Sequence, residues 1–212
     1  MELQQKRSST DRKGRDSFQK NARQLLKHKL EPYDAEHRLR QRLERWRLPG
    51  PAGHVARRML RSCAVLNEYC RPCVCAAYLR AIFNGWPTSA RMRSLEGASG
   101  TSSCLLGCDQ ALDRLEHYAV CPKAWAFFRM PRPQGLGIRE SLRSLQGFFL
   151  AEHGMELEEK VAMAIGLYAT SRAVTQARNA TSQVDAVRLL RLHAKEGLRA
   201  SKAWKLLKES VR

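Results

Sequence analysis

Apolar residues along the chain recur every three or four positions, a spacing typical of amphipathic helices. In the clearest case Leu39, Leu43 and Trp46 lie at helical spacing among arginines. No long stretch alternates apolar and polar residues as a half-buried strand does. The pattern predicts helices over residues 17–30, 34–48, 54–69, 73–83, 139–152, 156–178 and 183–209. The predicted fold class is therefore mostly α.

Sequence breaks and charge divide the chain into four predicted parts. Residues 1–16 are polar and lack periodicity, which predicts a disordered basic tail. Residues 17–53 form a predicted basic helical arm that ends in a run of prolines and glycines. A helical core over 54–180 contains a small insert, a zinc knuckle, at 104–121. A basic C-terminal helix occupies 181–212, with Ser182 as its candidate N-cap.

The chain is strongly basic, with 38 Lys and Arg against 20 Asp and Glu and a net charge of +18. The excess lies mainly at the ends, because residues 1–62 carry +10, residues 63–180 only +3 and residues 181–212 +5. Such a surplus indicates a polyanionic partner, most often RNA or DNA. A protein of an anionic membrane surface, or one resembling ribosomal proteins, is the alternative that charge alone leaves open.

The basic helices supply the candidate phosphate contacts. Arginines crowd the helix over 34–48, and too few acidic residues accompany them for mutual neutralisation. Lysines and arginines likewise surround the apolar stripe of the last helix. The predicted nucleic-acid-binding residues are Arg38, Arg42, Arg45, Lys202 and Lys205. Aromatic residues Tyr118, Trp125 and Phe127 are candidates for stacking on the bases of a single strand.

Location is predicted from what the sequence lacks and from its cysteines. The first residues form no secretory signal, and no stretch reaches the ~20 apolar residues that a membrane helix requires. Seven cysteines are an odd number, which favours a reducing compartment and metal ligation over disulfides. We therefore expect an intracellular protein, nuclear or cytoplasmic, without an integral membrane segment.

The strongest chemical signal is the spacing Cys104-x3-Cys108-x8-His117-x3-Cys121. Thiolate and imidazole are the ligands that structural zinc prefers, and four of them complete a tetrahedron. His117 and Cys121 lie four apart in a segment predicted as helix, so both project from one face. Gly107 permits a tight turn before Cys108. Burial of three small thiols beside an incidental histidine is the alternative.

The surroundings of this insert add two expectations. Asp109, Asp113 and Glu116 are each candidates to accept a hydrogen bond from the His117 imidazole, as partners of metal-ligating histidines do. Because protein side chains fill all four positions, no site remains for a water nucleophile. The predicted cofactor is therefore a structural zinc ion.

Two quoted stretches carry a resemblance to a known family. FNGWPTSARM (83–92) followed by CLLGCDQALDRLEHYAVCPKAWAFF (104–128) resembles the CCHC zinc-binding region near the C-terminal end of non-LTR retrotransposon reverse transcriptases. That region has a Gly-Trp turn, a cysteine pair, a Leu-Glu-His segment, a last cysteine and a downstream tryptophan, here Trp125. Three residues separate Cys104 and Cys108, whereas two are commoner in the family.

The resemblance implies nucleic-acid binding without catalysis. The family's polymerase requires a Tyr-x-Asp-Asp turn, and its endonuclease a Pro-Asp pair with further carboxylates. The chain contains neither two adjacent aspartates nor a proline followed by aspartate. The prediction is a non-catalytic fragment of a reverse-transcriptase-type protein. The alternative is a helical interaction protein stapled by zinc, whose basic arms contact a protein partner or an anionic membrane.

A second cysteine group raises a separate question. Cys63, Cys70, Cys73 and Cys75 lie close in sequence, but Cys73 and Cys75 would point to nearly opposite sides of a helix. Buried helix cysteines are the favoured interpretation, and a second metal site is the open alternative. The zinc-deaminase motif is excluded, because no His-x-Glu precedes this group.

Overall fold

The computed structural model describes residues 34–91, 103–108, 111–132, 134–180, 185–199 and 201–209. Within these ranges the secondary structure is almost entirely helical. The extended residues they contain pair only in an isolated antiparallel bridge, between Ser103 and Leu112. The predicted fold class, mostly α, is confirmed. The tail predicted over 1–16 and the helix predicted over 17–30 lie outside the described residues.

The helices are numbered here in chain order. They are α1 (Ala35–Trp46), α2 (Ala52–Tyr69), α3 (Pro72–Ile82), α4 (Leu115–Tyr118), α5 (Pro122–Phe128), α6 (Leu145–Phe148), α7 (Leu157–Arg178), α8 (Ala186–Leu198) and α9 (Lys202–Glu209), with a 3-10 turn at Glu140–Leu142. Across the described ranges, no helix combines the length and apolar character that crossing a lipid bilayer requires.

The chain divides into two units, residues 1–38 and residues 39–212. In the first, described over 34–38, the Oδ1 atom of Asp34 accepts a hydrogen bond of 2.9 Å from the His37 amide. This side chain satisfies one of the free amides at the start of α1.

The second unit begins inside α1, earlier than the predicted core. Leu39 and Leu43 are buried within it, and the Trp46 ring stacks on Phe149 with centroids 4.7 Å apart. The apolar face of α1, within the predicted basic arm over 17–53, is therefore part of the core.

Helix α7 is the centre of the main unit. Every residue from 161 to 170 is buried, so this helix is covered on all sides rather than on one face. Reciprocal hydrogen bonds between Glu156 and Glu159 form a capping box at its start. Gly166 allows a close approach, since a Cβ atom there would lie 2.9 Å from Cε1 of Phe128.

Helices α2 and α3 correspond to the helices predicted over 54–69 and 73–83, and they form a hairpin with Arg71 between them. Pro72 occupies the first turn of α3, where no amide is needed, and the residue before it is extended. The Tyr78 hydroxyl lies within 3.0 Å of the Met59 carbonyl and 2.9 Å of the Phe149 carbonyl. This buried side chain ties the hairpin to the loop after α6.

The single helix predicted over 139–152 is wrong. The structure has a 3-10 turn followed by the four-residue helix α6. The Ser144 hydroxyl accepts a hydrogen bond of 2.9 Å from the Gly147 amide and so starts a new helix. Leu150 has a positive φ of 56°, which ends it. Burial of the Phe148–Ala151 run accounts for the apolar pattern that suggested a continuous helix.

The last helix, predicted over 183–209, is two helices. Asp185 caps α8 by accepting a hydrogen bond of 3.0 Å from the Arg188 amide, whereas Ser182 lies outside the described residues. After Leu198 the backbone of Arg199 is extended, and the Ser201 hydroxyl bonds the Leu198 carbonyl. Helix α8 buries Leu189, Leu190 and Ala194, so its apolar side is part of the core.

Candidate metal centre

The four residues predicted as metal ligands lie together. Cys104 follows the Ser103–Leu112 bridge, Cys108 follows a turn, His117 is in α4 and Cys121 immediately precedes α5. Their ligand atoms all lie within 4.8 Å of one another. We call this set the CCHC group. It can hold a metal ion, and the three thiols are almost completely buried.

The loop that presents the first two cysteines is closed by backbone hydrogen bonds. The Gly107 amide donates to the Cys104 carbonyl over 3.0 Å, and the Cys104 amide donates to the Ala111 carbonyl over 2.6 Å. Gly107 has a φ of +81°, and no other atom would lie within 4 Å of a Cβ there. The need for glycine is therefore conformational, as the sequence predicted.

The predicted geometry of His117 and Cys121 is wrong, although both residues reach the centre. Helix α4 ends at Tyr118, and the Val120 amide bonds the His117 carbonyl over 3.0 Å in a turn. Cys121 has an extended backbone with φ −54° and ψ 120°. Pro122 explains this, because proline disfavours helical geometry in the residue before it. The thiol is thus presented by a turn and not by a continuous helix.

The sulfur separations fit a tetrahedral ion. The Sγ atom of Cys121 lies 3.9 Å from that of Cys104 and 3.4 Å from that of Cys108. Two thiolates bound to one zinc at about 2.3 Å in tetrahedral geometry are separated by about 3.8 Å. The thiols are therefore close to the spacing that such an ion imposes.

The histidine supplies an independent observation. Nε2 of His117 is buried and has no hydrogen-bond partner. Leaving a buried polar atom unsatisfied costs about 1–3 kcal/mol, so such atoms call for an explanation. A metal ion among the three sulfurs would provide the missing partner. The donor set of three sulfurs and one nitrogen is one that structural zinc sites use.

Hydrogen bonding favours the charged form of one thiol, that of Cys104. The thiol of Cys121 donates to Cys104, which, together with the amides of Leu106 and Cys108, lowers the pKa of Cys104 to about 5. Giving up that shared proton is unfavourable for Cys121, whose pKa is raised. Burial raises the pKa of Cys108, although the Lys123 amide opposes the effect. The amides of Leu106, Cys108 and Lys123 therefore favour the thiolate forms of Cys104 and Cys108. The thiolate is the form that binds metal.

The carboxylates proposed as partners of the imidazole bond elsewhere. Asp113 is buried and accepts from the Tyr118 hydroxyl at 2.6 Å, the Ser89 amide at 2.7 Å and Arg178 at 2.7 Å. Glu116 accepts from the Trp46 indole at 2.8 Å. Asp109 lies outside the described residues. Asp113 and Glu116 thus tie the insert to α7 and α1, a role that sequence reasoning missed.

The predicted nucleic-acid-binding residues differ in their surroundings. Arg38, Arg45 and Lys205 are exposed, whereas Arg42 is half-buried over the Trp46 ring, 4.0 Å from its centroid. Burial lowers the pKa of Arg42 to about 10, and the charges of Arg45 and Arg91 act in the same direction. Lys202 is exposed, with its Nζ atom 3.7 Å from a Glu68 carboxylate oxygen.

Arg91, which was not among the predicted binding residues, lies close enough to Arg42 for its charge to lower the pKa of that guanidinium. We call Arg42, Arg45 and Arg91 the arginine cluster. The positive charges of Arg45 and Arg91 lower the pKa of Arg42, and the negative charge of Glu116 acts in the opposite direction. The sequence feature that could have indicated this cluster is the single tryptophan of the arginine-rich α1. An aromatic ring commonly packs against a guanidinium group.

The aromatic residues proposed for base stacking are not accessible. Tyr118, Trp125 and Phe127 are at most 2% exposed, and the Trp125 indole donates to the Ala119 carbonyl. These rings pack the core beneath the insert. Stacking of bases on them is therefore excluded in this fold.

The second cysteine group forms no ligand cluster. Among the described residues, which include all four of these cysteines, the CCHC group is the one set that meets the geometric requirement. Burial raises the pKa of Cys63 to about 11 and that of Cys70 to about 12. Such thiols remain protonated at neutral pH and behave as small apolar side chains.

Comparison of the chain with protein-family models, with curated proteins and with solved structures returns no match. The resemblance to the reverse-transcriptase region therefore stays a prediction.

Proposed function

We propose that this protein binds nucleic acid without catalysing a reaction, and that a structural zinc ion held by the CCHC group organises the binding surface. The observation that carries the proposal is the position of a complete ligand set beside the arginine-rich α1. A hydrogen bond of 2.8 Å from the Trp46 indole to Glu116 joins the two. Cationic side chains held beside one another attract a phosphate backbone and release its counterions on binding.

The choice of zinc follows from the donors. Buried thiolates and one imidazole at tetrahedral spacing suit zinc better than the oxygen-seeking cations magnesium and calcium. Four protein ligands leave no position for substrate or a reactive water, which favours a structural role. The ion would hold together a segment in which the described residues, 104–108 and 111–121, include one helix, the four-residue α4.

We also propose that the chain is a fragment of a reverse-transcriptase-type protein of non-LTR retrotransposons. The two stretches that carry the resemblance lie against each other in the fold, which supports this origin. Trp86 of the Gly-Trp turn is buried, with its ring 5.9 Å from that of Tyr118, the residue after His117. A shared core is expected if both stretches belong to one conserved module.

A helical interaction protein is the second candidate. It is favoured by the C-terminal region, where the basic helix α8 packs its apolar side into the core and Lys202 faces Glu68. Leu192 on α8 is 55% exposed and could meet a protein partner or a membrane. In this case zinc would stabilise the fold, and the protein would not bind nucleic acid.

Side-by-side binding measurements separate the two candidates. We expect tight binding to a labelled oligonucleotide, with the logarithm of the affinity falling by about 0.9 per neutralised phosphate as the logarithm of salt rises. Replacing Arg38, Arg42, Arg45, Lys202 and Lys205 by Ala should flatten this slope by about four units if each contacts a phosphate. Base preference should be weak. Binding to anionic vesicles that oligonucleotide does not compete away would contradict the proposal.

A further inference from the structure

The arginine cluster has features of a phosphate-binding surface rather than of a solvated helix face. Arg42 is half-buried over the Trp46 ring, and two further guanidinium groups, Arg45 on the same helix and Arg91 after α3, are close enough to disfavour its charged form. The Nε atom of Arg42 is buried without a hydrogen-bond partner. Among the described residues Glu116 is the one opposing charge, so an arriving phosphate would stabilise this partly desolvated cation further.

The cluster is positioned by the metal-binding insert. Trp46 supports Arg42 on one face of its ring system and contacts Phe149 by stacking. Its indole N–H donates to Glu116, and Glu116 immediately precedes the ligand His117 in α4. We call the Trp46–Glu116 hydrogen bond the clamp. A four-residue helix does not persist unaided. Buried Leu115 and Tyr118 anchor α4 in the core, and a metal ion on His117 would fix the residue next to Glu116 as well.

We infer that the arginine cluster is the main phosphate-backbone contact of this protein, and that metal binding at the CCHC group controls it through the clamp. The inference rests on the proposed function. With metal bound, His117 fixes α4, Glu116 holds the Trp46 indole, and the ring presents Arg42 beside Arg45 and Arg91. Without metal, the Trp46 indole loses its acceptor, and the ring then holds Arg42 less firmly beside Arg45 and Arg91, although the core contacts of α1 remain. Nucleic-acid affinity is thereby made dependent on metal.

Duplex DNA of about 20 base pairs, titrated at several salt concentrations, tests the location of the contact. The triple variant Arg42→Ala, Arg45→Ala and Arg91→Ala should flatten the log–log salt slope by about 2.7 units. The matched control removes three exposed arginines elsewhere, through Arg61→Ala, Arg188→Ala and Arg191→Ala, and should change the slope by less than about one unit. Equal losses in the two triple variants would overturn the inference while leaving nucleic-acid binding in place.

The clamp is tested by two substitutions that remove the same charge. Glu116→Gln keeps an oxygen for the Trp46 N–H, whereas Glu116→Ala does not. On charge alone both should bind DNA more tightly than the wild type, as should Glu44→Ala, an exposed control on α1. We expect Glu116→Ala to bind about fivefold more weakly than Glu116→Gln, the worth of one hydrogen bond, with zinc content unchanged in both. Equal affinities would refute control through the clamp.

Metal removal tests whether the metal acts through the arginine cluster. A chelator should weaken DNA binding by the wild type and flatten its salt slope, but should have little further effect on the Arg42, Arg45 and Arg91 triple variant. If chelation weakens both proteins equally, the metal does not act through the arginine cluster and the inference fails. If the metal-loaded wild type binds no oligonucleotide at all, the proposed function itself fails.

Discussion

Replacing Cys121 by alanine is expected to abolish stable metal binding and to unfold the insert. Cys121 is fully buried, and its sulfur lies 3.9 Å from that of Cys104 and 3.4 Å from that of Cys108. Structural zinc contributes about 10–16 kcal/mol of apparent free energy in small zinc domains, and loss of a thiolate removes a large part of it. We expect elemental analysis to show a fall from about one zinc per chain to below about one tenth. The melting temperature should fall by at least about 10 °C.

The matched control is Cys63→Ala. Cys63 is a half-buried thiol of α2 whose Sγ atom bonds the Met59 carbonyl in its own helix, and it is not part of the CCHC group. This variant should keep its zinc and lose at most about 1 kcal/mol of stability. Equal zinc content in the Cys121 and Cys63 variants would show that the CCHC group is a cluster of buried thiols and not a metal site.

Hydrogen exchange after chelation should locate the damage. The described residues of the insert, 103–108 and 111–121, contain one short helix, so if the proposed zinc holds the insert together its amides should lose protection first. Helix α5 should remain more protected, because Trp125, Phe127 and Phe128 are buried in the main core. Unchanged exchange across 103–121 would contradict a structural role for the metal.

The elements that sequence predicted well are those whose pattern is local. Helices α2 and α3 combine apolar periodicity with a clear start, such as Pro72. Helix α7 is apolar on all sides, but its length and the Glu156 capping box mark it as a helix. Where consecutive residues are all apolar, as from Phe148 to Ala151, no helical periodicity can be recognised in the sequence. Such a run is buried on all sides and fits a helix or an irregular turn equally well.

The four candidate ligands were predictable because residue type and spacing suffice to bring them together. The way they are presented was not, since Pro122 breaks the assumed helix and moves Cys121 to a turn. The contacts that anchor the insert to the rest of the fold could not be predicted from the sequence either. Trp46 and Glu116 are separated by 70 residues, and nothing in either local pattern indicates that they meet. Long-range pairing is decided by packing, which a single sequence does not display.

Replacing Asp113 by alanine is expected to cost the fold about 3–5 kcal/mol, as removal of one partner from a buried ion pair does. The carboxylate is completely buried, and its Oδ2 atom lies 2.7 Å from a nitrogen of Arg178, a side chain that is 30% exposed. The same carboxylate accepts hydrogen bonds from Ser89 and Tyr118. Its loss would leave the buried Tyr118 hydroxyl and the part-buried Ser89 donors without this acceptor and would release the insert from the end of α7. Denaturant unfolding of the metal-loaded protein measures the change.

Two matched variants show whether this effect belongs to the buried network. Glu140→Ala removes the carboxylate of an exposed ion pair with Arg143 and should cost less than about 1 kcal/mol. Tyr118→Phe removes a single donor to Asp113 and should cost about 1 kcal/mol, well short of the Asp113→Ala loss. The Asp113 variant should retain its zinc, because the metal and this carboxylate secure the insert by separate contacts. A loss no larger than that of Glu140→Ala would mean that the metal and the apolar core, and not Asp113, hold the insert against α7.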